Sequence, residues 1–317
     1  MSFLYFLESI RNPVLDFLFA TITHIGEETI FLVLALLFFW CIGKREGYYM
    51  LITGLVGTVI NQMAKLIFKI PRPWVKDPNF TIVESARAEA TGYSFPSGHT
   101  QNVAGTFGSI GRSYKSLWIR ITAIAVIVLV ALSRMYLGVH TPLDVGVSLG
   151  VAAILVFGLY PMFKTEERFH KFMPYIVAVS VVLSVSLLLY VFLMPSEGVD
   201  PHNLASGMKN AATLLGCTAG LIPVYVLDRK YIRFETKAKW YAQVMKLVGG
   251  FAVVLGIKAG LSAPLVSLFG NEYVARSVRY FLIVMFAGVV WPLTFKFFAG
   301  LKITALDNLF GKKNKAE

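Results

Sequence analysis

Cysteine is nearly absent from this chain. Its two copies, Cys41 and Cys217, both lie inside apolar runs, which argues against a disulfide framework or a thiolate metal cluster. Internal repeats and low-complexity segments are missing, so a repeat architecture is excluded. A separate soluble basic domain is missing too. The net charge of +12 therefore does not point to nucleic acid, and no nucleic-acid partner is expected. The N-terminus has no basic n-region and no clear cleavage site, so no removable signal peptide is expected.

What is abundant is apolar surface. Hydrophobic residues make up 56% of the 317 positions, more than a soluble protein of this length needs. Apolar runs long enough to cross a bilayer are read at about 27–43, 46–69, 97–111, 117–138, 142–163, 172–194, 208–227, 242–262 and 274–300. Residues 3–22 are too polar for a span and read as an interfacial amphipathic helix, with a turn at His24–Gly26. The expectation is an all-α, polytopic membrane helical bundle.

Basic residues recur in alternate loops: Lys44 and Arg45; Arg112, Lys115 and Arg120; Lys164, Arg168 and Lys171; Arg229, Lys230, Arg233, Lys237 and Lys239; and Lys312, Lys313 and Lys315 in the tail. This alternation is the positive-inside pattern. It puts loops 70–96, 139–141, 195–207 and 263–273 on the extracytoplasmic side. The first of these is long for a loop without a task. Trp74, Trp118, Trp240 and Trp291, near span ends, read as interfacial anchors.

Three short clusters share that outer side. In "KLIFKIPRP", Lys65 and Arg72 end a span; they either snorkel to the water boundary or bind an anion. In "YSFPSGHTQN", Pro96 suits a first helical turn. Ser97, Gly98 and His99 would then offer unpartnered N–H groups at the positive end of a helix dipole. The same tetrapeptide also suits an ordinary N-cap. In "SRMYLGVHTPLD", Arg134 ends one span, Thr141 and Pro142 open the next, and Asp144 lies four residues after His140. That carboxylate can accept the imidazole N–H, as a structural bond or as an orienter of a catalytic histidine. Taken together, the clusters bring three cations, an anion cradle, two histidines and one carboxylate to one face. The motifs contain no carboxylate cluster suited to a hard metal, so no metal and no cofactor is expected.

Lys-x6-Arg-Pro, Pro-Ser-Gly-His and Ser-Arg-x5-His-x3-Asp, in this order, resemble the signature of the type 2 phosphatidic acid phosphatase superfamily, over roughly residues 1–165. The resemblance implies a six-helix core that includes the N-terminal interfacial helix. It implies that Lys65, Arg72 and Arg134 hold phosphate oxygens, with Ser97 and the Gly98 N–H completing the cradle. His140 would be the nucleophile that forms a phosphohistidine, Asp144 its orienter and His99 the acid on the leaving oxygen. Opposite protonation states for two histidines give a bell-shaped rate profile near neutral or mildly acidic pH.

The expected activity is metal-independent hydrolysis of a phosphoric monoester or diphosphate on a lipid, an isoprenyl pyrophosphate or a phosphatidyl-type lipid. It would take place in the cell membrane, among membrane lipids, with the site facing outward. A lipid phosphotransferase with the same intermediate, and a non-catalytic lipid transporter or scaffold, remain alternatives. A haloperoxidase reading needs vanadate in the cradle and suits a polytopic chain poorly.

The expected domains are a phosphatase core at 1–170 and an appended module of about four transmembrane helices at 171–317. In that module Lys258, within a span, and Arg276 and Arg279, at an outer end, are candidate headgroup or lipid contacts.

Overall fold

In the computed structural model, which describes residues 1–195 and 199–301, every regular element among the described residues is helical. The basic tail residues Lys312, Lys313 and Lys315 lie outside the described residues.

The expected single N-terminal helix is two, α1 (Ser2–Ser9) and α2 (Pro13–Thr23). Asn12 breaks the chain between them. Its side chain accepts the N–H groups of Val14 and Leu15, and Pro13 takes the first helical position. A tight turn follows at His24–Gly26, then α3 (Glu28–Leu37) with a wide turn at Phe38–Ile42. The long α4 (Lys44–Phe68) leads into the 70–96 loop, which contains the short α5 (Pro73–Lys76). The core continues with α6 (Gly98–Ser113), α7 (Leu117–Tyr136) and α8 (Pro142–Phe163). Beyond it run α9 (Glu166–Leu193), α10 (Pro201–Leu227), α11 (Trp240–Gly260), the short α12 (Ser262–Phe269) and α13 (Glu272–Met285). The expected domain boundary at 170/171 thus falls inside α9.

Among the described residues, seven helical stretches are long and apolar enough to cross a membrane. An eighth results if α2 and α3, bent by 47°, form one broken span. Nine spans were expected, and α6 accounts for a difference. It has 16 residues and buries Gln101, Asn102, Thr106 and Ser109. Packed among α4, α7 and α8, it does not have to present an apolar face to lipid. The lipid-facing surface comes from other helices, where large side chains such as Ile124, Phe157, Val179 and Leu193 are exposed.

One end of the bundle is closed by the N-terminal helices and the 70–96 segment. Arg11 donates to the carbonyls of Tyr136 and Thr81, each at 3.0 Å, and Tyr5 donates to Asp77 at 2.8 Å. At this end α4 and α7 finish and α6 and α8 begin. At the opposite end Lys44 meets Asp228 at 2.9 Å and Arg45 lies 4.0 Å from Glu166, so the basic loops around α4, α9 and α10 gather there.

The appended helices are fastened to the core. Val59 and Leu66 of α4 pack with Leu187 and Val191 of α9 and Ala211 and Leu214 of α10. On its other side α10 presents Gly216 and Gly220, four residues apart. A Cβ at Gly216 would meet the Ser277 backbone, so the small residues let α10 and α13 approach closely. Trp118 and Trp240 are exposed near helix starts, as anchors would be. Trp291 instead donates its indole N–H to the Lys246 carbonyl at 3.0 Å, and Trp74 lies beneath the guanidinium groups of Arg72 and Arg87. Those two are packing residues, recruited by partners distant in sequence.

Candidate active site

The first cluster is shaped by the chain that follows it. Lys65, buried in the last turns of α4, donates its ammonium to the Tyr93 carbonyl. Arg72 caps α5 and reaches three carbonyls: Gly92 at 3.2 Å, Thr91 at 2.7 Å and Val139 at 2.9 Å. The long 70–96 segment therefore has a task. It curls back, with the Ser94 N–H on the Ile70 carbonyl at 2.8 Å, and lines both cations with backbone oxygens.

The second cluster departs from expectation by one position. The helix begins at Gly98, Ser97 is its N-cap, and Pro96 precedes the helix after a cis peptide bond. The Ser97 hydroxyl accepts from the Thr100 N–H at 3.4 Å and the Thr100 hydroxyl at 3.0 Å. A capping residue ahead of the helix uses its oxygen on the first turn, so Ser97 serves the cradle's geometry first. Its N–H and carbonyl tie α6 to Asp144 and Ser148 of α8, at 3.2 and 2.9 Å. The N–H groups of Gly98 and His99 belong to the free first turn. A Cβ built on Gly98 meets no atom within 4 Å, so an anion can approach this backbone closely.

The third cluster completes the pocket. Arg134, in the last turn of α7 and 1% exposed, donates to the Thr23 hydroxyl at 2.7 Å, and its Nε has no partner. His140 is 2% exposed, and its Nε2 lies 3.0 Å from Arg72 Nη1. Asp144 holds a capping box with Thr141: its Oδ2 takes the Thr141 N–H at 2.8 Å, and its own N–H goes to the Thr141 hydroxyl at 3.2 Å. The same Oδ2 accepts from the Ser94 hydroxyl at 2.6 Å. The expected imidazole–carboxylate hydrogen bond is a looser contact here. His140 Nδ1 and Asp144 Oδ2 are 3.5 Å apart, and Nδ1 has no hydrogen-bond partner. The cap and Ser94 already claim that oxygen.

Burial, and then the positive charges of Arg72, Arg134 and Lys65, hold the His140 imidazole well below the usual histidine range. It is neutral at physiological pH, with Nε2 turned toward the cations. His99 Nε2 is buried without a hydrogen-bond partner, 3.9 Å from a Glu89 oxygen. Gly26 backs His99 closely: a Cβ there would stand 3.0 Å from the His99 carbonyl.

Lys65, Arg72, Ser97, Gly98, His99, Arg134, His140 and Asp144 thus converge. Lys258, Arg276 and Arg279 do not join them. Lys258 is exposed and lies in the last turn of α11, within the candidate span Trp240–Gly260 as expected. Arg279 is buried and donates to the Lys258 carbonyl at 3.3 Å, and Arg276 lies 3.9 Å from Glu272.

Thr23, Ser94 and Glu89 went unread in the sequence. A hydroxyl or carboxylate in a polar stretch carries no local signal; its role comes from partners tens of residues away. His24, Glu27 and Glu89 form, outside the motifs, a group whose ligand atoms lie within 4.8 Å of one another.

Comparison with known proteins matches both parts of the chain. The model of the PAP2 superfamily matches residues 45–168, and that of the PAP2 superfamily phosphatase transmembrane extension matches residues 208–303. The chain is 34% identical over 152 residues to undecaprenyl-diphosphatase BcrC of Bacillus subtilis, covering 46% of this chain and 74% of that protein. It is 30% identical over 177 residues to phosphatidylglycerophosphatase B of the same organism, covering 51% and 81%. It is 30% identical over 167 residues to a probable sphingosine-1-phosphate phosphatase of Dictyostelium discoideum, covering 47% and 39%. No solved structure matches.

Proposed function

This chain belongs to the PAP2 superfamily, and we propose that it hydrolyses a lipid phosphate or pyrophosphate through a phosphohistidine on His140. It is a multi-pass membrane phosphatase acting on lipid phosphates. The observation that carries the mechanism is the pocket itself: Lys65, Arg72 and Arg134 buried around a neutral histidine, beside the N-terminus of α6. Burying that much positive charge costs several kcal/mol per ion unless an anion joins it. A phosphate supplies the charge and accepts from all three cations.

The chemistry follows from the groups present. His140 Nε2 attacks phosphorus, the bond from phosphorus to the lipid oxygen breaks, and His99, which takes up a proton as the phosphate's negative charge offsets the three cations, gives that oxygen the proton. Water then attacks phosphorus, the P–N bond breaks, and His99 takes the proton back. The three cations and the first N–H groups of α6 stabilise the equatorial oxygens in both transition states. Asp144, fixed by its capping box and Ser94, holds the imidazole from the Nδ1 side. These groups carry the reaction without a metal. The basic loops at the opposite end support an outward-facing site.

The test is phosphate release by purified protein from a panel of lipid phosphates and pyrophosphates, with a chelator present. Release should persist in chelator, be inhibited by orthovanadate and vanish in His140→Ala. Release that needs added metal, or survives in His140→Ala, would overturn this mechanism. An acceptor lipid that consumes the phosphoryl group without free phosphate would make the protein a transferase.

A further inference from the structure

A cavity of about 220 Å³ lies outside the phosphate pocket, between α3 and α4 of the core and α10 and α13 of the extension. It runs lengthwise. Its lining on α10 extends from Asn210 to Val224, about 21 Å at 1.5 Å per residue, and on α4 from Thr58 to Tyr48, about 15 Å. Along most of that length the walls are aliphatic or aromatic, with Leu32, Leu55, Leu221 and Ile283 from the four helices. The end toward the phosphate site is polar, bounded by Glu28, Asn102, Asn210 and Arg276. Asn102 is one turn beyond His99 on α6, and Thr58 is two turns before Lys65 on α4. The polar mouth is therefore about 5–10 Å from the catalytic groups along the helix axes.

We infer that this cavity is the slot for the hydrocarbon chain of the substrate, with the core supplying one wall and the extension the other. The inference rests on the lipid-phosphatase reading and gives residues beyond the core a role in it. Three observations favour a chain as the occupant. The slot is long, its walls are mostly apolar, and its polar end lies on the side of the catalytic groups. A soluble sugar or nucleoside phosphate would gain nothing from such walls. A second groove, between α6, α7 and α8 and lined by Phe107, Ile124 and Phe157, is the rival location. It lies toward the opposite end of α6, near Arg112, away from His99.

The test uses dodecylphosphonate carrying a diazirine at its chain terminus, which binds without being hydrolysed. After irradiation of the full-length protein, cross-links should map to α10 and α13 around Cys217 and Tyr280. Excess dodecylphosphonate should abolish these cross-links, and methylphosphonate at the same concentration, which has no chain to fill the slot, should reduce them far less. Cross-links at Phe107, Ile124 or Phe157 instead, or labelling that dodecylphosphonate does not reduce, would overturn the proposal. In parallel, Cys217→Trp, which fills the slot, should lower the ratio of kcat/KM for dodecyl phosphate over phenyl phosphate about tenfold, the equivalent of about two unburied methylenes. An unchanged ratio counts against the slot. If that variant fails to fold, Thr213→Leu gives a smaller change in the same ratio, and the cross-link map stands alone. Should the wild-type protein hydrolyse neither phosphate, the catalytic reading fails while the map still decides where the chain lies.

Discussion

Two ends of this molecule bury positive charge in different ways. At the end opposite the site, Lys44 closes on Asp228 at 2.9 Å, over the face of Phe234, and Arg45 lies between Glu46 and Glu166. At the site end, Lys65, Arg72 and Arg134 make no ion pair with any described residue; backbone carbonyls, one threonine hydroxyl and the His140 ring nitrogen receive their protons. A paired cation near a surface contributes modestly to stability and needs no further explanation. Buried cations without carboxylates are a standing electrostatic cost, retained where a transient anion repays it. The contrast fits the proposal that the cations at the site end await a phosphate.

The largest break in the comparison should come from removing the proposed nucleophile. His140→Ala is expected to lower kcat/KM by about 10⁴-fold or more, measured by phosphate release, whereas Lys44→Ala at the other end should change it less than about twofold. Next, Arg134→Met should cost about 10²- to 10³-fold in kcat, since it removes one donor to the transition-state oxygens. The same variant should unfold no more easily than wild type in phosphate-free buffer, because its Nε is already unpartnered. Asp228→Asn, which leaves Lys44 without its counter-charge, should instead destabilise by about 1–2 kcal/mol in thermal or denaturant unfolding.

A smaller effect sharpens the contrast through pH. The His140 pKa is depressed in the folded state, so the unfolded chain binds its proton more readily. That contribution to stability is fully present above the unfolded value of about 6.5 and is lost as pH falls below it. The melting temperature of wild type should therefore drop between about pH 7 and pH 5, and His140→Asn should drop less. Equal slopes would mean that His140 is not held neutral. The smallest change is expected from Lys258→Ala, exposed at the end of α11, within about 0.5 kcal/mol of wild-type stability.

The residues of the candidate site could be picked out because they sit in local strings. Lys65 to Arg72 spans one helix end, Gly98 and His99 open a helix, and Thr141, Pro142 and Asp144 form a cap that any reader of helix starts can find. The all-helical membrane fold was legible for a similar reason, since hydropathy needs only composition along a window. What stayed hidden depends on distant partners. Thr23 matters because it receives Arg134, 111 residues away, and Ser94 because it occupies Asp144. The break at Asn12 and the one-residue offset at Ser97 turn on side-chain capping, which pattern reading resolves poorly. The slot against the extension has no sequence motif at all, because four separate helices supply its walls.

The most direct test is a rapid-quench experiment with a phosphate ester that has a good leaving group, using His99→Ala to slow release of the intermediate. An acid-labile phosphoryl group should accumulate on the peptide that contains His140, with one equivalent of leaving group released in a burst. Turnover with no phosphoryl group on His140 would contradict the covalent route, and a phosphoryl group on another residue would move the nucleophile elsewhere.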